Sequence, residues 1–428
     1  MKFEPTLHKL SNGVTVILDP MDLETAFVKI SFKTGSADEK PNEYGITHFC
    51  EHMFCKGSKR FPTQKERKDF MENHGGVCNA TTSMLTLSFY GRIIAENISV
   101  LIDVLADMLE NALFKENQLE IERGAILDEL RRAMDNPDRN MFNFGMKNMF
   151  NFFVPNGLLN LGNSENIKSF TREQLLEFAH RRMSAKNCVI TISGRIDSVT
   201  DIIAQLEKSF AFLPTHDVVQ DFRHDYTPCV QHCSANNNQN VKLDIVFPYT
   251  IPDTFENIYI NKCIGAFEDF LRRELQEVLR NQNGLVYGLR NAYYGFPNYE
   301  CAGYGTETAP ENVARVVELM AKTMARVYNE NLVTQAELEK MFNLSRLKDA
   351  DFLESSKSRN DELNGFYRFY NRVYDFVESV KQRKSITPED VVKYTRGIFD
   401  TPMSIITYGA DFDADLQQIW NDNFKKDS

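Results

Sequence analysis

Thr171-Arg172-Glu173-Gln174-Leu175-Leu176-Glu177-Phe178 returns 216 residues later as Thr387-Pro388-Glu389-Asp390-Val391-Val392-Lys393-Tyr394. Each copy opens on a threonine able to cap the free amides of a helix start. Each then runs into a short apolar strand closed by glycine, Val189 to Gly194 and Ile405 to Gly409. A second pair agrees: Leu113-Phe114 and Leu119-Glu120 recur as Leu332-Val333 and Leu338-Glu339, at an offset of 219. Amphipathic helices share Leu and Glu spacing cheaply, so either match alone could be coincidence. Two matches in order, at nearly one offset close to half the chain, predict two similar halves.

Pro214, Asp217, Pro228 and the polar run Ser234 to Asn240 interrupt the periodic pattern between the copies. The expected division is therefore a first domain at 1–215, a linker at 216–235 and a second domain at 236–428. In the first half, 13–18, 26–32 and 77–92 read as strands, and 44–56, 63–74, 95–111 and 116–136 as helices. Strands with hairpin-like neighbours among such helices predict an α+β fold, in each half a mostly antiparallel sheet covered by helices on one side.

Composition narrows the function. The chain has 428 residues, 42% hydrophobic, more than one ordinary core accommodates. A net charge of -11 argues against a nucleic-acid partner, which would need a dense basic surface, and favours neutral or basic ones. No apolar run is long enough to span a bilayer, so no membrane partner is expected. Residues 1–20 show no export or organelle leader, and the eight cysteines form no CxxC pair, which together predict reduced thiols and a cytoplasmic location. His224, Cys229, His232 and Cys233 lie close together, but at a spacing that suits no common zinc site.

The chemical signal is His48-Phe49-Cys50-Glu51-His52. On a helix the two imidazoles point within about 40° of each other, one turn apart, so both can reach one ion; Glu51 flanks that face, beside the ion's bound water. Two surface histidines on a helix are the bland alternative. A catalytic zinc needs a third protein ligand, and Glu122 and Glu129, seven residues apart, share one face of the helix expected at 116–136. Cys50 points away from the histidines, whereas Cys55, one turn past His52, falls on their side and is expected to pack beneath the site.

The string Gly45 to Met53, with 76 residues between His52 and Glu129, resembles the pitrilysin and insulinase family of zinc metallopeptidases, and within it the half-length branch related to mitochondrial processing peptidase. Gly75-Gly76, Asn79 to Ser83, Leu105 to Leu109 and the Glu122 to Glu129 helix follow in family order. The resemblance implies one half of a clamshell, one Zn2+ per chain held by His48, His52 and Glu129, Glu51 as the base and Glu122 as a carboxylate orienting a ligating ring. It also implies that Asn79, Ala80 and Thr82 lie on an edge strand that pairs with an extended peptide.

The second half has no histidine after His232, and Lys348 stands where the 219 offset would place Glu129, so it cannot repeat the metal site. Arg280 and Tyr287 resemble the family's arginine and tyrosine pair that binds substrate carbonyls and the developing oxyanion, although Asn281-Gln282-Asn283 departs from the charged residues usual there. The expected function is a zinc-dependent endopeptidase acting on extended peptides, as a homodimer with a shared active site. The rivals are a catalytic subunit needing a different partner and a non-catalytic peptide-binding scaffold.

Overall fold

The computed structural model describes residues 3–426 apart from 221–224, 236–237, 250–253 and 297–298. Six strands form the first sheet: β1 (Thr6–Lys9), β2 (Thr15–Pro20), β3 (Thr25–Phe32), β4 (Gly76–Thr82), β5 (Leu87–Ile94) and β6 (Cys188–Gly194). Their order is β1-β2-β6-β3-β5-β4, antiparallel throughout except for β2 beside β6. The period-2 alternation decides the faces. Val16, Leu18, Val28, Ile30 and Phe32 enter the main core, while Ile17 and Val189 face the other way into a smaller cluster.

The second sheet contains β7 (Val230–Ser234), β8 (Val241–Pro248), β9 (Leu289–Phe296), β10 (Tyr299–Thr308) and β11 (Ser404–Gly409). Its order is β9-β10-β8-β11-β7, with β11 and β7 parallel. Read from β7, it repeats the order and the single parallel pair of β2-β6-β3-β5-β4, so the halves share a topology as well as a sequence rhythm. Val230–Ser234, inside the expected linker, form a strand because their backbone completes the ladder beside β11.

Four helices place the site: α1 (Ile46–Lys56), α2 (Gln64–Asn73), α3 (Ile98–Glu110) and α4 (Glu116–Met134). The chain clusters into two compact units that are not contiguous stretches. The first joins Met1–Met134, Val154–Asp221 and Lys348–Asp375; the second joins Asp135–Phe153, Phe222–Leu347 and Phe376–Ser428. Helix α5 (Pro137–Phe150), from the first half, thus belongs with the second sheet. Phe142 stacks on Tyr294 at 5.5 Å, and a Cβ on Gly145 would sit 2.4 Å from the Tyr294 ring.

Reciprocally, α6 (Ser356–Tyr370), from the second half, covers the face of the first sheet that was expected to be open. That face is polar, and α6 satisfies it. Arg359 pairs with Asp19, both side chains fully buried, and the Asn360 amide donates to the carbonyls of Thr191 (2.8 Å) and Phe27 (3.3 Å).

Candidate metal centre

Helix α1 starts at Gly45, whose φ of +95° is a left-handed conformation suited to glycine. A Cβ there would also lie 2.6 Å from the Leu161 carbonyl oxygen. The buried Glu39 carboxylate caps the start, accepting from the amides of Gly45 (2.7 Å) and Thr47 (2.9 Å). Phe49, Cys50 and Met53 anchor one face in the core. The Cys50 thiol points to the Leu175 carbonyl at 3.4 Å, turned from the histidines as its helical position requires.

The opposite face carries His48 and His52, their ring centroids 4.6 Å apart. Helix α4 brings Glu129 across from them, with one carboxylate oxygen 3.7 Å from Nε2 of each ring. Donors of a tetrahedral zinc lie about 3.3 Å apart, for bonds near 2.05 Å. The donor atoms of His48, His52 and Glu129 all fall within 4.8 Å of one another, the only such group of three or more among the described residues. Two nitrogens, one carboxylate oxygen and no thiolate suit a zinc ion with a position left for water, so the residues fit the group.

Glu122, seven residues before Glu129 and 3% exposed, accepts from Nδ1 of His52 at 2.9 Å, which leaves Nε2 as the atom facing Glu129. Lys56 adds a 2.8 Å ion pair to the same carboxylate, a partner that sequence spacing did not reveal. Burial raises the Glu122 carboxyl, but the His52 and Lys56 bonds outweigh it and lower its pKa. Burial likewise disfavours the His52 imidazolium, yet bonds to Glu122 and Glu129 lift that ring to about 9.

Glu51 lies beside the cluster, its pKa raised by burial against the pull of a hydrogen bond from Thr82. That bond, Oγ1 of Thr82 to Oε2 of Glu51 at 2.6 Å, is a contact the sequence did not show; Thr82 was read only as part of the substrate strand. β4 does end the sheet, pairing on one side with β5. Its buried or half-buried positions are Gly76, Cys78, Ala80 and Thr82, while Val77, Asn79 and Thr81 are exposed. The Asn79 side-chain oxygen accepts from the Ala80 amide at 2.9 Å. Cys55 is half-buried, its thiol pushed up to about 12 by burial.

Arg280 and Tyr287 are placed in the second unit. The guanidinium lies 5.0 Å from the centre of the Tyr287 ring, which is 89% exposed. Arg280 sits in a π-helical turn, Glu277–Gln282, that continues the helix Ile258–Gln276. Of the His224 and Cys229 group, His224 lies outside the described residues, and His232 bonds to Thr407 and Asp411. All eight cysteines are free. No helix among the described residues is long and apolar enough to cross a membrane.

Two sequence profiles match the chain, one described as insulinase (peptidase family M16) over residues 15–160 and one as the peptidase M16 inactive domain over 169–344. An uncharacterized zinc protease of Rickettsia bellii is 25% identical over 417 residues, spanning 96% of this chain and 98% of that protein. The mitochondrial-processing peptidase subunit beta of Dictyostelium discoideum is 31% identical over 270 residues, 61% of this chain and 57% of that one. Among solved structures, a protease from Helicobacter pylori superposes with a TM-score of 0.82 at 17% identity, over 96% of this chain and all of that one. The periplasmic protease PqqL from Escherichia coli gives 0.80 at 16% identity, over 100% of this chain but 51% of that one. At those identities the structural likeness speaks for the fold alone.

Proposed function

The chain belongs to the insulinase family of peptidases, M16, in the half-length branch related to mitochondrial processing peptidase, and on that premise we propose that it is a zinc-dependent endopeptidase hydrolysing extended peptides or small unfolded polypeptides. The observation that carries the reading is the convergence of His48, His52 and Glu129 with Glu51 beside them. A zinc ion held there, one per chain, would acidify a bound water and polarise the scissile carbonyl. Glu51 accepts the proton of the attacking water and returns it to the leaving amine, a task suited to a carboxylate whose burial raises its pKa and so strengthens it as a base. Thr82 holds one oxygen of that carboxylate and leaves the other to the proton. Glu122 fixes the His52 ring. The edge of β4 binds the peptide through main-chain bonds, and Arg280 and Tyr287 take substrate carbonyls and the oxyanion.

Glu51→Gln tests the base: zinc content should stay at one per chain while peptide hydrolysis collapses, and normal turnover by the zinc-loaded variant would remove Glu51 from the role. The metal ligands and the arginine and tyrosine pair lie in different halves, so we propose a homodimer in which each site draws on both chains. Mixing Glu51→Gln with Tyr287→Phe chains should restore activity, and hydrolysis by a strict monomer would refute sharing. The relatives named as beta subunits of a processing peptidase favour one alternative, a catalytic subunit that needs a different partner. A non-catalytic scaffold has no such support, since all three ligand positions and the base are filled. The free thiols suit a reducing, cytoplasmic setting.

A further inference from the structure

Arg67 is buried to 5% exposure at the contact of α2 with β4, and no ion pair among the described residues includes it. Its own helix carries three carboxylates, all engaged elsewhere: Glu66 caps at Thr63, Asp69 pairs with Lys65 and Glu72 with Lys68. The guanidinium instead lies beside two thiols, Cys78 on β4 and Cys55 at the end of α1, drawing both back down against the burial that raises them. Burial wins at both, and neutral thiols do not cancel the cation. A buried guanidinium without a carboxylate is costly to keep, and a ligand's carboxylate would relieve that cost.

The position says which ligand. Met71, one turn beyond Arg67, packs on Gly76, where a Cβ would meet its Cε at 2.7 Å. α2 therefore runs along the buried face of β4, with Arg67 over Cys78, two residues from Ala80 and four from Thr82 and its bond to Glu51. Cys55 follows Glu51 by one turn of α1. Both thiols are half-buried, so the side chains that frame the cation are themselves partly open to solvent. A peptide extended along the edge of β4 sends alternate side chains to this face.

We propose that Arg67, framed by Cys55 and Cys78, is the specificity-determining residue of a pocket that takes an aspartate or glutamate side chain of the substrate within two residues of the scissile bond. The pocket rests on the peptidase reading. With a net charge of -11 on the chain, a strongly acidic peptide is repelled overall, so the pocket selects one acidic residue in an otherwise neutral or basic sequence.

The test is a peptide series carrying Glu, Gln, Leu or Lys in turn at each of the two positions on either side of one cleavable bond. The zinc-loaded protein should show kcat/KM about 10- to 100-fold higher for Glu than Gln at one position, as a charge-assisted pair in a desolvated pocket implies. Arg67→Met should bring the two within about twofold and turn the preference to Leu; Arg67→Lys should keep part of it. No acid preference in the unmodified protein, or a preference that survives Arg67→Met, would overturn the assignment. Binding of the same peptides to the zinc-loaded Glu51→Gln chain is followed by fluorescence anisotropy. An Arg67-dependent acid preference there with no hydrolysis by the unmodified protein would leave the pocket standing and sink the peptidase reading. Cleavage without acid preference would do the reverse.

Discussion

Replacing Arg359 by methionine should destabilise the protein by about 3 to 5 kcal/mol at neutral pH, the typical cost of stranding a buried charge. Arg359 and Asp19 are both fully buried and joined through both carboxylate oxygens, so the variant leaves Asp19 without its cation. Burial already raises the Asp19 pKa, with Arg359 pulling the other way. Without that pull it rises further and the group folds neutral. The folded pKa then stands above the unfolded one, so the penalty is absent below the unfolded value near 4 and grows as pH climbs through the folded value. Urea titrations at pH 4.5 and 7.5 should therefore show a smaller loss at the lower pH. Adding Asp19→Val should recover most of it, because an apolar pair of similar volume is often neutral or better. A loss below about 1 kcal/mol, equal at both pH values, would mean that α6 is held by other contacts and that the pair is incidental.

Zinc affinity should fall about tenfold for each pH unit below 9, because the His52 proton that Glu122 and Glu129 hold must leave before the ring can ligate; competition with a chromophoric chelator between pH 6.5 and 9 measures the slope, and a flat profile refutes the protonated ring. Glu122→Gln should lower zinc affinity about 10- to 100-fold at pH 9, where proton competition no longer masks the loss, with the same chelator titration as the check. Thr82→Val should cut kcat by about tenfold or more with KM and zinc content nearly unchanged, and Thr82→Ser should restore most of it; equal behaviour of the two would remove the hydroxyl from the mechanism.

The sequence carried the local parts of this site because their geometry is set by helical spacing. His48 and His52 share a face by a four-residue interval, and Glu122 and Glu129 by a seven-residue one, so both pairs could be read without a structure. The α+β class and the duplication were legible for the same reason: capping threonines and alternating strands are short-range signals. Lys56 beside Glu122 and Thr82 beside Glu51 were not legible, since each contact joins elements whose packing no interval encodes. The strand Val230–Ser234 was hidden by the prolines and polar residues around it, its pairing to β11 being more than 170 residues distant.

The exchange of α5 and α6 escaped for a deeper reason, and it bears on how the site is held. A strand with polar residues on one face reads as solvent-facing, and Asp19, Lys29, Ser31, Thr191 and Ser193 give the first sheet such a face. Here those groups are instead partners for a helix that arrives 340 residues after Asp19, with Arg359 and Asn360 supplying the complementary donors and Lys29 reaching Asp361 at 2.9 Å. Buried polar groups that need particular partners tolerate no sliding, whereas an apolar contact would. β3, clamped between α6 on one face and the core beneath α1 on the other, is paired through β5 to β4, so the strand that presents Thr82 to Glu51 is two ladder steps from that clamp. Removing α6 contacts should therefore loosen the edge strand before the metal ligands, which α1 and α4 hold directly. Hydrogen exchange in the Arg359→Met variant would show it as lost protection at residues 76–82 with 46–56 retained.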